Sequence, residues 1–418
     1  MIDWAERFAP RIPRMIASDV RELVKALREP DVISFGGGIP DPDLFPREVI
    51  AEAHNRILGD PKTARIALQY SDTAGYLPLR EWLASYMGTL GAPCTPDNFL
   101  ITSGSQQGLD FLARLFLAPH DFVLLEMPTY IGALRAFDGS EARYEVFPES
   151  ADARSSTESA RFGYLLPDFQ NPKGTSLTLS QRTAALETAT TLDIPLIEDS
   201  AYEKLRFDGE SLPPLLALEI SRMGGIDKGR VIYTGTFSKT IVPALRIGWI
   251  AAPRPVIEKL NLIKQASDLH TSTLSQMVMC EVAPHLLNDQ HLARMRNTYR
   301  QRRDATLAGL EKYMPAGTHW TRPEGGMYLW ITLPQKLDGT VVAQRALREA
   351  RVAVIAGRSC FAADPVPNTL RLSFSRPPNS AAMLSAALTS YKRRLRPLGS
   401  NSHRPTWPRR GYCPRSSW

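Results

Sequence analysis

The chain has 418 residues and a mass of 46.5 kDa, long enough for two domains, because single cores stop growing near about 250–300 residues. It is 43% apolar and 22% charged, the composition of an ordinary globular protein. No apolar run of about 18 residues occurs, which excludes a membrane span, and the N-terminus has no apolar signal core.

The net charge of +7 at first suggests a nucleic-acid partner. Eight basic and no acidic residues lie between Lys392 and Trp418, however, so the rest of the chain has a net charge of −1. We therefore expect no nucleic-acid partner and a disordered basic tail at 397–418. Such a tail is either a solvated end or a contact for an anionic surface, and we favour the first.

The cysteines are scattered without a C-x-x-C pair, which favours reduced thiols and a cytoplasmic setting and predicts no metal site. They are Cys94, Cys280, Cys360 and Cys413.

The predicted elements begin with a helix at 18–27, for which Ser18 is the expected N-cap. In the middle of the chain, short apolar runs alternate with helical patterns, which predicts an α/β fold with a mostly parallel sheet between helices. The predicted strands are 98–102, 121–126, 163–167, 195–199, 230–235 and 246–252. The predicted helices between them include 105–117 and 180–192. Ligands gather at the carboxyl ends of such strands, where most of the motifs below fall.

The pattern changes after Pro284 to a long amphipathic helix and then alternating short elements, which predicts a second, α+β lobe. Its predicted elements are 290–314, 326–333, 341–350, 352–357 and 369–375. We assign the first 48 residues to this lobe because so short a piece has no core of its own. The expected division is 1–48 and 290–396 for the small domain and 49–289 for the large domain.

Lys239 is the first candidate catalytic residue, within "GTFSKTIVPALRIGW" (235–249). Lysine is rarely buried without a partner, and a desolvated amine attacks carbonyl groups to form Schiff bases. Thr236 and Ser238 offer hydroxyl donors beside it, and Arg246 offers a guanidinium fork suited to phosphate. The group would fit a carbonyl compound that carries a phosphate, such as pyridoxal phosphate. Alone, the S-K dipeptide is equally typical of a surface loop.

Two further motifs follow predicted strands. Ser103-Gly104-Ser105 leads directly into a helix, whose first N–H groups and dipole form an anion site, unless the segment is a plain N-cap. Tyr130 follows a strand and a proline, where its ring could lie on a pyridine, although a packed aromatic residue is the commoner outcome.

Three polar residues follow the next two strands. Asn171 precedes a proline and could donate to a phenolate oxygen, although N-P usually marks only a turn. Asp199 ends an apolar strand and Tyr202 follows it. A carboxylate at that position could keep a pyridine nitrogen protonated, or it could cap a helix.

The order Gly-Ser loop, Tyr, N-P-x-G, D-x-x-Y, S-K and R-x-G resembles the fold-type I aminotransferases, in the class I and II group of pyridoxal-phosphate enzymes. The resemblance extends from about Trp4 to Leu395, and the 28 residues between Asn171 and Asp199 match the family spacing. It implies a large α/β domain with a mostly parallel seven-stranded sheet flanked by helices, plus a smaller α+β domain built from both chain ends.

The resemblance also implies residue roles. Lys239 would hold the cofactor and then act as the base that moves the proton. Asp199 would pair with the pyridine nitrogen, Asn171 and Tyr202 would bind the ring hydroxyl oxygen, and Tyr130 would stack on the ring. The phosphate would be held by Gly104, Ser105, Gln106, Thr236, Ser238 and Arg246.

Tyr70 matches the tyrosine that reaches the phosphate of the neighbouring subunit, which implies a homodimer with shared sites. Arg371 matches the arginine that binds the substrate α-carboxylate. The segments "SDVRELVKAL" and "VISFGGGIPDPDLFP" are similar to those of 2-aminoadipate and kynurenine aminotransferases. In that subfamily Arg21 would reach a side-chain carboxylate, unless it is a solvated helix charge, and Gly37 and Gly38 would lie near the substrate.

The predicted reaction moves an amino group from an L-amino acid to a 2-oxo acid such as 2-oxoglutarate. A β-lyase, decarboxylase or racemase reaction with the same cofactor is the main alternative, because a fold does not determine a reaction. A ligand-sensing domain of a transcription regulator is less favoured, because only about thirty residues precede Phe35 and a winged-helix domain needs more.

Overall fold

The computed structural model describes residues 2–9, 11–12, 32–150, 159–287 and 289–376. The predicted helix at 18–27 with Arg21 and the predicted tail at 397–418 lie outside these residues. The described strands are β1 (Ile33–Ser34), β2 (Phe99–Thr102), β3 (Phe122–Leu125), β4 (Arg143–Val146), β5 (Ala160–Leu165), β6 (Leu196–Asp199), β7 (Val231–Thr236), β8 (Gly248–Ala251), β9 (His319–Trp320), β10 (Tyr328–Thr332), β11 (Val352–Ala353), β12 (Ile355–Ala356) and β13 (Thr369–Ser373).

The central sheet has seven strands in the order β2-β8-β7-β6-β5-β3-β4, which confirms the predicted mostly parallel α/β architecture. Strands β3 to β7 are parallel to one another, whereas β8 is antiparallel to both β2 and β7. Strand β4 was not predicted from the sequence. Its side chains are exposed or half-buried and include Arg143 and Glu145, so this edge strand lacks the apolar run that reveals the others.

The helices of this part of the chain bury apolar side chains against the sheet or against one another. They are α1 (Arg47–Gly59), α2 (Pro61–Ala67), α3 (Leu77–Thr89), α4 (Ser105–Phe116), α5 (Ile131–Asp138), α6 (Leu179–Thr191), α7 (Leu215–Met223), α8 (Arg254–Ser267) and α9 (Thr273–Leu286). In the described part of the chain, no helix has the length and apolar character needed to cross a membrane.

The last third of the chain contains α10 (Asp289–Tyr313), α11 (Gly339–Ala350) and an antiparallel sheet in the order β12-β13-β10-β9. The N-terminal β1 pairs with β11 of this part. The bounds of α10 and α11 lie within two residues of the predicted 290–314 and 341–350. The predicted strand at 352–357 is divided into β11 and β12.

The direction of β8 explains why distant motifs meet. Because β8 is antiparallel, its first residue, Gly248, pairs with the last residues of β2 and β7, Thr102 and Thr236. The loop 237–247 and the start of α4 therefore lie at one edge of the sheet. At this edge β6 also ends, with Asp199 paired to Thr234.

Candidate active site

Asp199 lies at the end of β6 and is 3% exposed. Its Oδ2 accepts a hydrogen bond of 2.7 Å from the hydroxyl of Tyr164, whereas its Oδ1 has no partner among the described residues. Burial raises the pKa of Asp199 to about 6, although hydrogen bonds from Tyr164 and Thr234 and the charge of Lys239 oppose the rise. A buried acceptor without a partner is costly, so Oδ1 is suited to a donor from a bound ligand.

Lys239 is half-buried in the loop after β7, close enough to Asp199 to influence its pKa. Within the described ranges, its amine has no hydrogen bond or ion pair. The two hydroxyl residues before it are buried and contact each other: Thr236 Oγ1 donates to Ser238 Oγ at 2.9 Å and accepts from the Ser238 N–H at 3.1 Å. The amine is thus held beside a carboxylate and remains available to react.

The Gly-Ser loop forms the start of α4, as predicted. Gly104 has φ +84°, and a Cβ there would lie 2.3 Å from Nη2 of Arg246. That guanidinium donates to the carbonyl oxygen of Ser103 at 3.3 Å and is exposed. A helix N-terminus beside an arginine and two hydroxyl residues is suited to an anion. We refer to Ser103–Gln106, where the resemblance predicts the cofactor phosphate, as the phosphate loop.

Tyr130 and Gln106 contact each other beside this loop. The Tyr130 hydroxyl donates to Gln106 Oε1 at 3.3 Å, and Gln106 Nε2 donates to the Gly132 carbonyl at 2.7 Å. Burial raises the pKa of Tyr130, with the negative charge of Asp199 adding to the effect. Tyr130 is therefore a neutral ring close to Asp199.

Arg371 on β13 is 5% exposed and meets Asn171 from the loop after β5. Its Nη1 donates to Asn171 Oδ1 at 2.9 Å and its Nη2 to the Gly36 carbonyl at 2.7 Å. Its Nε has no partner in the described structure. A buried guanidinium with an unused donor is suited to a carboxylate ligand.

Tyr328 on β10 connects these groups. Its ring lies 4.6 Å from the Arg371 guanidinium carbon and meets the Tyr202 ring edge-on at 5.8 Å. Gly38 has φ +56° and packs against Tyr328 so closely that a Cβ would overlap its hydroxyl oxygen. The predicted glycine segment thus borders Arg371 through Gly36 and Tyr328 through Gly38.

Two predicted residues are not assembled with this group. Tyr70 is 77% exposed, with its ring edge-on to His270 at 5.8 Å. Gly37 is half-buried and lies between the two glycines that make the contacts.

The sequence analysis did not name Gly36, Tyr164 or Tyr328. Gly36 contributes only a carbonyl group, which no side-chain pattern reveals. Tyr164 lies within the apolar strand β5, where an aromatic residue is typical of a core. Only its hydrogen bond to Asp199 distinguishes it.

Pyridoxal phosphate and an amino-acid substrate fit the groups that have no partner among the described residues. These groups are Asp199 Oδ1, Arg371 Nε and the Lys239 amine, and the phosphate loop lies with them.

The comparisons with known proteins agree. The family model for aminotransferase class I and II matches residues 30–388. The chain is 38% identical to aromatic-amino-acid aminotransferase 1 of Thermococcus litoralis, over 90% of this chain and 91% of that protein. It is also 38% identical to the 2-aminoadipate transaminase of Thermus thermophilus, over 90% and 93%.

The solved α-aminoadipate aminotransferase of Thermus thermophilus, complexed with N-(5'-phosphopyridoxyl)-L-leucine, superposes with a TM-score of 0.83 and 36% identity. The match covers 94% of this chain and 98% of that one. The chain therefore belongs to the class I and II aminotransferases. The predicted fold, cofactor and amino-transfer activity are confirmed at this level, and the roles of individual residues stay predictions.

Proposed function

We propose that the enzyme transfers the amino group of an L-amino acid of the 2-aminoadipate, aromatic or branched aliphatic type to a 2-oxo acid such as 2-oxoglutarate. The observation that carries the proposal is the buried Arg371 with its unused Nε beside Asn171. Such a site binds the α-carboxylate that all these substrates share and leaves the side chain to be selected elsewhere. The relatives named for aromatic amino acids and 2-aminoadipate support this range.

The residues would act on substrate and cofactor as follows. Pyridoxal phosphate supplies an aldehyde that takes the amino group and a ring that accepts electron density. Lys239 removes the proton from the substrate α-carbon, because its amine is positioned without a competing partner. Asp199 keeps a proton on the ring nitrogen through Oδ1, while Arg371 orients the substrate.

We assign the cofactor contacts on the same basis. The phosphate is held by Gly104, Ser105, Gln106, Thr236, Ser238 and Arg246. Asn171 and Tyr202 bind the ring hydroxyl oxygen, and Tyr130 stacks on the ring. Gly37 and Gly38 lie along the substrate. Arg21 selects acidic side chains.

A donor panel tests the substrate range. Purified enzyme is assayed with 2-oxoglutarate and either 2-aminoadipate, phenylalanine, kynurenine, leucine or alanine, and the formation of glutamate or of the donor's 2-oxo acid is measured. We expect several of these donors to be active through the common α-carboxylate. Release of ammonia without an acceptor acid would instead indicate a lyase.

We propose a homodimer in which Tyr70 completes the partner's phosphate site. The exposure of Tyr70 supports this, as does its proximity in sequence to Ile66 and Leu68, which are 53% and 72% exposed. Hybrid dimers of Lys239→Ala and Tyr70→Ala subunits test it, because two inactive parents then yield one intact site per hybrid. No recovered activity, or a monomer in sedimentation, would contradict the proposal.

We also propose that residues 1–48 and 290–396 form one small domain beside the large domain at 49–289, as the pairing of β1 with β11 suggests. A cytoplasmic location is in keeping with Cys94 and Cys280, which are thiols. Fractionation of the cells that produce the protein would test the location.

A further inference from the structure

A second lysine, Lys264 on α8, lies next to the phosphate loop and is completely buried. Its amine donates to Gln107 Oε1 at 3.1 Å, to both carboxylate oxygens of Asp268 at 2.9 and 3.1 Å, and to Thr271 Oγ1 at 3.0 Å. An ammonium group has three hydrogens. These contacts use all of them, so Lys264 has no donor left for a ligand.

The groups around Lys264 hold Ser103, the first residue of the phosphate loop. Gln107 Oε1 accepts from the Ser103 N–H at 2.8 Å. The Ser103 hydroxyl lies 3.3 Å from Asp268 Oδ2 and 3.2 Å from Thr271 Oγ1. Gln107 Nε2 also donates to Asp268 at 2.8 Å. The Ser103 backbone and side chain are thus both held by residues that contact Lys264.

Ser103 in turn connects this network to the anion site. Its carbonyl oxygen accepts from Arg246, and Gly104 and Ser105 follow it directly. A shift of Ser103 would therefore move both the first N–H groups of α4 and the guanidinium. Phosphate recognition depends on the alignment of such donors, so a small displacement weakens it.

The charge of Lys264 itself is balanced locally. Burial tends to raise the pKa of Asp268, but hydrogen bonds from Gln107 and Lys264 outweigh it and lower that pKa. Burial lowers the pKa of Lys264, and its contacts with Asp268 oppose that fall. Because the amine and the carboxylate lie 2.9 Å apart, their opposite charges largely cancel at a distance. The influence of the pair on a bound anion is geometric rather than a long-range attraction.

We propose that Lys264 is a positioning residue for the phosphate group of the cofactor, acting through Gln107, Asp268 and Ser103. The inference rests on the proposed assignment of the phosphate to the Gly104–Ser105 helix start. It predicts that Lys264 matters for cofactor recognition only when the cofactor carries its phosphate.

The test compares two cofactors that differ only in that group. Cofactor-free protein is titrated with pyridoxal phosphate and with pyridoxal, and dissociation constants are obtained from the absorbance of the bound aldehyde. For Lys264→Met we expect affinity for pyridoxal phosphate to fall about tenfold, the equivalent of one charge-assisted hydrogen bond, while pyridoxal affinity changes less than about twofold. Lys259→Met, an exposed position on the same helix, is the control and should change neither.

An equal loss of affinity for both cofactors would show a general structural role of Lys264 and would overturn the inference. Unchanged affinity for pyridoxal phosphate would also overturn it. If Lys264→Met does not fold, Asp268→Asn gives the same test, because it keeps an acceptor for Ser103 but removes the charge that holds Lys264. We then expect a loss of at least about threefold for pyridoxal phosphate alone. Wild-type protein that binds both cofactors equally would refute the phosphate assignment itself, a result distinct from failure of the Lys264 role.

Discussion

The ligand-facing groups and the groups that support them differ in how fully they are paired. Each ligand-facing group has an atom without a partner in the described structure. The buried cations among the supporting groups donate their hydrogen bonds to protein acceptors instead. The ligand-facing groups are Lys239, Asp199 and Arg371. The supporting groups are Lys264, Asp268, Arg182 and Asp168.

This difference separates two ways of burying charge. An unpaired buried group costs folding free energy and is retained where a ligand completes it, whereas a paired one maintains a shape. Substitutions in the first set should therefore remove activity and spare or increase stability. Substitutions in the second should lower the free energy of unfolding and leave turnover at saturating cofactor little changed.

The largest effect is expected for Lys239→Ala. Loss of the amine removes both the cofactor attachment and the base, so turnover should fall by at least about 10⁴-fold. The assay is amino transfer to 2-oxoglutarate, with the absorbance of the bound cofactor recorded in parallel. Lys259→Ala is the control. Substantial residual transfer by Lys239→Ala would remove Lys239 from the ligand-facing set.

Arg182→Met should be the most damaging change to stability. Arg182 is fully buried and donates to Asp168 at 2.8 Å and to the carbonyl oxygens of Leu177, Pro213 and Pro167. Its loss removes the hydrogen bonds to three carbonyl oxygens and leaves the buried Asp168 carboxylate with Arg206, at 3.8 Å, as its remaining cationic partner. We expect this to cost about 3–5 kcal/mol of unfolding free energy. Urea unfolding of the wild type and the variant measures the difference in unfolding free energy.

The matched double variant Arg182→Met with Asp168→Leu should recover part of that loss, because the carboxylate that Arg182 bound is then removed as well, while Arg206 keeps its ion pair with Glu324. If Arg182→Met lost no more unfolding free energy than a substitution at an exposed position, the distinction between ligand-facing and supporting groups would be contradicted.

Asp199→Asn should lower activity and raise the stability of the cofactor-free protein. Burial raises the pKa of Asp199 from 3.8 to about 6, so the folded state binds the proton more tightly than the unfolded chain. The free energy of unfolding of the wild type should therefore fall as pH rises from about 4 to about 6 and stay lower above that range. The variant avoids this loss and should be more stable by up to about 3 kcal/mol at pH 7.

Urea unfolding at pH 4 and pH 7 without cofactor checks this, with the exposed Asp193→Asn as control. A stability difference that does not grow with pH would show that Asp199 is not a strained carboxylate. Amino transfer should meanwhile fall about 10²-fold or more, because the ring nitrogen loses its anionic partner.

Arg371→Lys should have the smallest of these effects. A lysine keeps the charge but lacks the planar guanidinium that can donate hydrogen bonds to Asn171, Gly36 and a carboxylate at once. The kcat/KM for amino donors should therefore fall about 10- to 100-fold. Affinity for pyridoxal phosphate should not change. The exposed Arg322→Lys is the control, and equal losses for the two variants would contradict the carboxylate role.

Much of this fold could be predicted because it depends on local patterns. Apolar runs revealed the buried strands of the central sheet, and a glycine and serine before a helical stretch revealed the start of α4. The edge strand β4 was missed because half-exposed residues carry no such run. Lys264 did leave a signal: it follows Ile257 and Leu260 at helical spacing on the buried face of α8. A lysine at a core position is unusual enough to have been singled out.

The sequence by itself determined which residue types follow which strands, and hence the family, the cofactor chemistry and the candidates Lys239, Asp199 and Arg371. Their pairing was decided by the tertiary structure alone, because hydrogen bonds such as those of Tyr164 to Asp199 and Arg371 to Gly36 join residues 35 and 335 positions apart. Periodicity describes the neighbours of a residue within one element. Which buried atoms remain without a partner depends on how separate elements pack, and that property marks the ligand site.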